Sequence, residues 1–256
     1  MTTGTTGEFT SLGDEEYRRV IDRYVEAAAG RVPVVAGVGA LTTATAISLA
    51  QHAERAGADA VMVLPPFYDA PTFEALVAFL TAVAQSIGIP IVYYNIPGAT
   101  GVRLDAGQIA ALGDIPRVDY LKDTSGDAVV LADLLADKGS RIQAFNGWDT
   151  LTFFGLASGA RASVWGAANV MPREAVALYR ALAVDHDLVA AREIWLPLWR
   201  LSAFLESVPY AAGVKAGLEI VGAPAGPVRE PLQPLTAEQY ASLHALLSAL
   251  GVVALA

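Results

Sequence analysis

The stretch GADAVMVLPPFYDAPTFEALVAFLTAVAQSIGIPIVYYNIP, residues 57–97, contains a complete strand, helix and strand. Its two apolar runs, DAVMVLPP (59–66) and IPIVYYNIP (89–97), are nearly continuous in hydrophobicity, as in parallel strands that are covered on both faces. Between them, a helix is predicted to begin near Thr72 and to end near Gly88. Two apolar strands joined by a helix form a βαβ unit, so this stretch predicts a parallel sheet.

The same alternation extends along the chain in both directions. Further strands are predicted in PVVAGVG (33–39), VDYLKDTSG (118–126), IQAFNGWD (142–149) and ASVWG (162–166). Helix N-caps are expected at Asp14, at Thr42 or Thr43, at Asp105 and at Asp127. The pattern becomes entirely helical after Pro172, with helices predicted over 172–183, 188–205, 210–221 and 236–249.

Two architectures fit this alternation, a doubly wound sheet and a barrel. No GxGxxG or GxxxxGK[ST] motif follows a predicted strand, which argues against a nucleotide-binding sheet. Polar or aromatic groups at the C-terminal ends of several strands favour a barrel. We therefore expect an α/β fold with a (β/α)8 barrel, also called a TIM barrel, over residues 1–185. A C-terminal helical extension is expected over 186–256.

The strand count falls short of the eight that such a barrel needs. Six whole strands are predicted, and residues 1–4 fit only the end of a seventh. The expectation is a barrel that lacks its first strand, its first helix and most of its second strand. Such an open barrel exposes unpaired strand edges.

Composition excludes several classes of function. The 256 residues carry a net charge of -9, which argues against a nucleic-acid partner because phosphate binding needs a basic face. Without cysteine, the chain has no disulfide, thiolate nucleophile or cysteine-ligated metal, and its three histidines lie far apart in predicted helices, so no metal site is expected. Charges, Gly and Pro interrupt every apolar stretch before membrane-spanning length. The N-terminus lacks the features of a signal peptide, and the expected location is the cytoplasm.

Lysine is scarce, and one of the three lysines stands out. Lys138 is expected to complement the end of a helix, and Lys215 lies in a helical stretch where a structural role is expected. Lys122 instead falls inside an apolar strand, at the end where the active sites of barrels form. Burial disfavours the charged form of an amine, and the neutral amine is the form that attacks a ketone. The competing interpretation is an ion pair with Asp123, although neighbours on a strand point to opposite faces.

Two further segments could assist chemistry at this lysine. Tyr94 ends the preceding strand, where a phenol could relay protons, although an ordinary aromatic at the rim is the alternative. The run GTTGE, residues 4–8, supplies adjacent hydroxyls and backbone N–H groups suited to holding a carboxylate.

Taken together, these motifs resemble the dihydrodipicolinate synthase / N-acetylneuraminate lyase family of class I aldolases. The matching pieces, in the same order and spacing, are GTTGE (4–8), AGVGA (36–40), GADAVMVLPPFY (57–68), YNIPGATG (94–101), LKDTSGD (121–127) and the stretch from NGWD to AAN (146–169). The resemblance implies a cytoplasmic homotetramer built from tight dimers, which needs no metal or organic cofactor. Its substrate would be pyruvate or another 2-oxo acid, with an aldehyde as a second substrate.

The resemblance also implies roles for individual residues. Lys122 matches the lysine that forms a Schiff base with the oxo acid, and Tyr94 matches the tyrosine that relays protons. Thr6 would continue the relay and, with Thr5, bind the carboxylate region of the substrate. Tyr68 matches a tyrosine that is lent across a subunit interface. The remaining substrate-binding positions implied by the match are Val164, through its backbone carbonyl, Thr124, Gly147 and Asp149.

The match departs from the family at the second-substrate pocket. Ala99 stands where synthases acting on aspartate semialdehyde carry an arginine, which would bind a carboxylate bidentately. Thr150 follows Asp149 where sialic acid lyases have a glutamate, and Gly166 occupies the polar site on the next strand. A more apolar pocket is therefore expected, and the second substrate is left open. Besides aldol addition or cleavage, the alternatives are a dehydratase or deaminase using the same imine, and an inactive, truncated barrel with a binding role.

Overall fold

The structure, a computed structural model, describes residues 1–136 and 142–252. Two compact units divide the chain at Gly147 and Trp148. Lys138, expected at a helix end, lies outside the described residues. The boundary expected between barrel and extension, at 185/186, falls inside the second unit and stays a prediction.

The first unit is built on five parallel strands that pair in sequence order. They are β1 (Val35–Val38), β2 (Ala60–Val63), β3 (Ile91–Asn95), β4 (Val118–Asp123) and β5 (Gln143–Asn146). Their side chains are mostly buried, because parallel strands are covered on both faces. The parallel α/β arrangement expected from the sequence is therefore confirmed.

In the first unit, helices precede β1 and follow β1 to β4. They are α1 (Asp14–Ala28), α2 (Thr43–Ala56), α3 (Phe73–Ser86), α4 (Pro97–Thr100), α5 (Ala106–Leu112) and α6 (Ala128–Ala136), with a 3-10 turn at Phe9–Ser11. The side chains of Thr42, Thr72 and Asp105 each accept a hydrogen bond from the backbone N–H three residues later. This bond satisfies one of the unpaired donors at the start of the helix. Asp127 likewise accepts from Val129 and Val130. The N-caps predicted at Asp105 and Asp127 are confirmed, Thr42 is the cap of the two alternatives, and Thr72 caps the helix predicted to begin near it.

The N-cap predicted at Asp14 is wrong. Gly13 occupies the cap position and Asp14 is the first helical residue. There its carboxylate accepts from the Arg18 guanidinium at 2.9 Å, one helical turn away. An acidic side chain in the first turn still interacts favourably with the helix dipole, which is why the helix begins where expected.

The N-terminal residues run alongside β1. Thr2 forms a parallel bridge with Ala36, and its carbonyl accepts from the Gly37 N–H at 2.9 Å. Thr2 thus pairs with β1 through a single bridge, and the strand end expected over residues 1–4 stays a prediction. Position 37 must be glycine, because a Cβ there would lie 2.2 Å from the carbonyl oxygen of Thr3.

The second unit is mainly helical. It contains the short strand β6 (Ala162–Ser163) and the helices α7 (Thr152–Ala157), α8 (Ala167–Val170), α9 (Pro172–Tyr179), α10 (Leu188–Glu206), α11 (Tyr210–Ile220) and α12 (Ala237–Ala249), with a 3-10 turn at Asp149–Leu151 and a π-helical turn at Arg180–Val184. Its core is a cluster of buried apolar side chains from α8 to α12, including Leu178, Leu198 and Leu243. The four helices predicted after Pro172 are all present, the first of them ending in the π-helical turn.

Six strands occur in the described residues, as the sequence predicts, and closure into an eight-stranded barrel stays a prediction. Among the helices of the described ranges, none has the length and apolar character needed to span a bilayer.

Candidate active site

Strand register brings Tyr94 and Lys122 together. In the parallel pairing of β3 with β4, Tyr94 is the partner of Lys122 and Asn95 is the partner of Asp123. Paired residues of neighbouring strands share a face, and successive residues alternate between faces. Tyr94 and Lys122 therefore lie on one face of the sheet, while Asn95 and Asp123 lie on the other.

Lys122 is buried and lies against an aromatic ring. Its side chain is 9% exposed, and Nζ lies 3.9 Å from the centroid of the Tyr94 ring. Phe145, the partner of Lys122 on β5, shares this face with Tyr120, and the two rings stack with their centroids 5.4 Å apart. Lys122 is thus the only lysine of the described chain placed within a strand, and its amine faces an aromatic ring.

The Tyr94 hydroxyl lies close to the N-terminal loop. Tyr94 is 2% exposed, and its hydroxyl oxygen lies 3.4 Å from Thr5 Oγ1, with either group able to donate. Thr6, to which the resemblance assigns the relay, is half-buried, and no hydrogen bond between it and Tyr94 is present in the described structure. The hydroxyl next to Tyr94 is therefore that of Thr5.

Asp123 does not pair with Lys122, as expected from strand alternation. Its carboxylate accepts from Asn95 Nδ2 at 2.7 Å and from the Ser125 hydroxyl at 2.9 Å. Burial is the main cause that raises the pKa of Asp123 above its ordinary range, while these hydrogen bonds act in the opposite direction. The ion-pair interpretation of Lys122 is therefore wrong.

Gly147 makes room for Lys122. A Cβ at this position would lie 2.3 Å from Thr124 Oγ1 and 2.9 Å from both Cε and Cγ of Lys122. Thr124 donates its hydroxyl to the Gly147 carbonyl at 3.1 Å, and the Gly147 N–H donates to the Asp123 carbonyl at 2.7 Å. The sequence identified both residues as binding positions but offered no signal for this packing role.

Asp149 and Val164 belong to the second unit. Asp149 is 4% exposed, and its Oδ2 accepts from the Tyr210 hydroxyl at 2.6 Å and from the Ala167 N–H at 3.2 Å. The Tyr210 hydroxyl in turn accepts from the Gly166 N–H at 2.7 Å. Val164 is half-buried and follows β6 directly. Sequence analysis missed Tyr210, because it lies 61 residues from its partner carboxylate.

The other positions identified from the sequence lie at the surface or in helices. Tyr68 is 87% exposed, and Ala99, in α4, is exposed as well. Lys215 donates to the Pro227 carbonyl at 2.8 Å, in agreement with the expected structural role. Within residues 1–136 and 142–252, no cluster of three or more His, Asp or Glu side chains could hold a metal ion.

Comparison with known proteins gives consistent matches over nearly the whole chain. The family model for the dihydrodipicolinate synthetase family matches residues 1–250. The 4-hydroxy-tetrahydrodipicolinate synthase of Geotalea uraniireducens is 35% identical over 98% of this chain and 86% of its own.

Solved structures agree with this match. The dihydrodipicolinate synthase from Aquifex aeolicus is 33% identical with a TM-score of 0.93, covering 99% of this chain and 86% of that one. A chloride-inhibited dihydrodipicolinate synthase from Acinetobacter baumannii, complexed with pyruvate, is 30% identical with a TM-score of 0.93. The match covers 98% of this chain and 86% of that one.

Proposed function

Because the chain belongs to the dihydrodipicolinate synthetase family, we propose that it is an aldolase-type lyase or synthase in which Lys122 forms a Schiff base with pyruvate or another 2-oxo acid. The observation that supports this proposal most directly is the position of Lys122. It is a buried amine at the C-terminal end of a strand, with Nζ 3.9 Å from the ring centroid of Tyr94, whose hydroxyl meets Thr5.

The first stage is formation of the imine. The lone pair of neutral Lys122 Nζ attacks the ketone carbon and gives a carbinolamine, whose hydroxyl group is protonated and leaves as water. The nitrogen is then part of an iminium cation. The face of the Tyr94 ring attracts a cation at this position, so the same contact stabilises the charged intermediate.

The second stage makes or breaks a carbon–carbon bond. The iminium withdraws electrons, so loss of a proton from the adjacent carbon gives an enamine. In the synthetic direction the enamine attacks an aldehyde carbon, the aldehyde oxygen takes up a proton and the iminium forms again. In the reverse direction carbon–carbon cleavage releases the aldehyde and leaves the enamine on Lys122, where protonation of its carbon restores the iminium. Water then hydrolyses the imine and regenerates the Lys122 amine.

Proton transfers in both stages need a group near the nitrogen. Tyr94 and Thr5 supply two hydroxyls within hydrogen-bonding reach of each other, which suits a short relay. Thr5 and Thr6 lie in a turn whose backbone N–H groups and hydroxyls suit the substrate carboxylate. Thr124, Gly147, Asp149 and the Val164 carbonyl are retained as proposed binding positions.

The proposed second substrate is an aldehyde that lacks a carboxylate near Ala99. Ala99 is exposed and cannot provide the bidentate contact that an arginine makes there. The proposed setting is a cytoplasmic homo-oligomer, a dimer or tetramer, in which Tyr68 reaches a neighbouring subunit. The reaction as proposed uses the lysine imine and no separate cofactor.

Intact-mass measurement after incubation with pyruvate and borohydride tests the proposal. Borohydride reduces an imine to a stable amine, so a pyruvate-sized adduct that maps to Lys122 is expected. Lys122→Ala should form no adduct and lose turnover while keeping its fold, as measured by circular dichroism. An adduct of equal yield in Lys122→Ala would overturn the assignment. A folded wild-type protein without any adduct, with pyruvate and with other 2-oxo acids, would favour an inactive, binding role.

A further inference from the structure

A second pair of side chains joins β3 to β4, directly behind the reactive pair. Asn95 and Asp123 are each 2% exposed and follow Tyr94 and Lys122 by one residue. Their register is the next step along the same two strands. Asn95 Nδ2 donates to Asp123 Oδ1 at 2.7 Å.

The Asp123 side chain acts only as an acceptor in the hydrogen bonds that it makes. Besides Asn95, the Ser125 backbone N–H donates to Oδ1 at 3.3 Å and the Ser125 hydroxyl donates to Oδ2 at 2.9 Å. A carboxylate that is surrounded by donors is satisfied in its ionised, acceptor-only form. Hydrogen bonds to a buried charged group are roughly twice as strong as neutral ones, so this pair is a firm cross-strand link.

The backbone around the pair completes the link. The Thr124 N–H donates to the Asn95 carbonyl at 2.8 Å, and the Gly147 N–H donates to the Asp123 carbonyl at 2.7 Å. The C-terminal ends of β3, β4 and β5 are therefore held together at the level of Lys122. The ends of strands separate more easily than their middles, and a buried hydrogen-bonded link between two strand ends opposes that separation.

We propose that Asn95 and Asp123 are positioning residues, which act through the strand ends to hold Lys122 Nζ against the Tyr94 ring. The proposal rests on the proposed function, since it assigns the pair a part in imine formation. Neither side chain reaches the reactive face, because each points to the opposite side of its strand from its neighbour. Their effect on the reaction is thus one of geometry.

Tyr93 provides a matched control on the same face of β3. It is fully buried, and its hydroxyl has no hydrogen-bond partner among the described residues. Tyr93→Phe removes a buried polar group two residues from Asn95 without breaking the link to Asp123. If Asn95 acts by positioning Lys122, only the Asn95 variant should react slowly. If general packing of this layer decides the rate, both variants should.

The experiment measures the rate of the borohydride-trapped pyruvate adduct at Lys122 as a function of pyruvate concentration. Asn95→Leu preserves side-chain volume and leaves Asp123 without its cross-strand donor. We expect its rate at saturating pyruvate to fall about 10- to 100-fold, as expected for a small displacement of a reacting group. The half-saturating pyruvate concentration should change little, because Thr5 and Thr6 are untouched. Tyr93→Phe should react at the wild-type rate.

Exchanging donor and acceptor provides the rescue. Asn95→Asp alone faces one carboxylate with another and removes the donor, whereas Asn95→Asp combined with Asp123→Asn restores an amide donor opposite a carboxylate. We expect the single variant to be slow and the double variant to recover most of the rate. This comparison also decides the matter if Asn95→Leu fails to fold.

Three results would overturn the proposal, each in a different way. A wild-type protein that forms no adduct removes the proposed function and this inference together. If the wild-type protein forms the adduct and Asn95→Leu or Asn95→Asp forms it equally fast, only the inference is overturned. A loss of rate in Tyr93→Phe as large as in Asn95→Leu would also overturn it, because packing alone would then account for the effect.

Discussion

Lys122 and Asp123 are neighbours on β4, but their side chains are buried in different surroundings. Lys122 lies against an aromatic ring on one face, while Asp123 is surrounded by hydrogen-bond donors on the other. Alternation along a strand is a local property that argued against an ion pair between them, although the sequence left that interpretation open. Each side chain instead meets a partner from β3, 28 residues earlier, and Asp123 also accepts from Ser125, two residues later.

A pH dependence is expected from Asp149, also at the scale of one residue. Burial is the main cause that raises the pKa of Asp149 to about 6, against an ordinary value of about 3.9. The folded protein therefore binds this proton more tightly than the unfolded chain does. Asp149 contributes stability below about pH 4 that is lost as pH rises to about 6, amounting to at most about 3 kcal/mol.

Thermal unfolding midpoints measured across this pH range test the expectation. Between about pH 4 and 6, the wild-type midpoint should fall relative to that of Asp149→Asn, because the asparagine stays neutral throughout. The difference between the two proteins should thus vary with pH. Parallel curves over the whole range would show that Asp149 does not titrate there.

At the scale of elements, the ends of β4 and β5 pack too closely for a side chain at position 147. We predict that Gly147→Ala displaces Lys122, because the added methyl group would lie 2.9 Å from Lys122 Cε and Cγ. The rate of trapping of pyruvate should fall about 10- to 100-fold. Adduct formation followed by intact mass gives the measurement.

Gly98→Ala is the matched control for that change. Position 98 lies in α4, and a Cβ there would meet no atom within 4 Å. This variant should trap pyruvate at the wild-type rate. Wild-type behaviour of Gly147→Ala as well would mean that the strand ends move apart at no cost to the site.

At the scale of the whole molecule, Tyr68 stands out among the described residues as an aromatic side chain that is almost fully exposed. An aromatic ring that is 87% exposed agrees with a residue that is buried only against another subunit. If Tyr68 completes the relay of a neighbour, two defective variants should complement each other. The Lys122→Ala subunit still carries Tyr68, and the Tyr68→Phe subunit still carries Lys122.

Mixing these two variants after reversible dissociation tests the idea by recovered turnover. Random pairing into dimers gives hybrids in half of the assemblies, each with one complete site, so about a quarter of the wild-type activity is expected. Tyr24→Phe, which alters another exposed tyrosine, should be fully active without mixing. Activity of the mixture no greater than that of its Tyr68→Phe component would place Tyr68 outside the neighbour's site.

Local patterns of the chain were enough to predict most elements. Helix caps at Thr42, Thr72 and Asp105 depend on a side chain and a backbone N–H three residues apart, and strands were recognisable from continuous apolar runs. The short helices α4, α7 and α8 escaped prediction, because segments of four to six residues have no measurable periodicity.

The candidate site divides in the same way. That Lys122 would be a buried strand residue, and that Tyr94 would end the strand before it, follows from local hydrophobicity and order along the chain. That Nζ meets the Tyr94 ring, that Asn95 holds Asp123 and that Gly147 clears space for Lys122 depends on strand register. Register is set by how whole strands pack and by the lengths of their connections, which no short stretch of sequence contains.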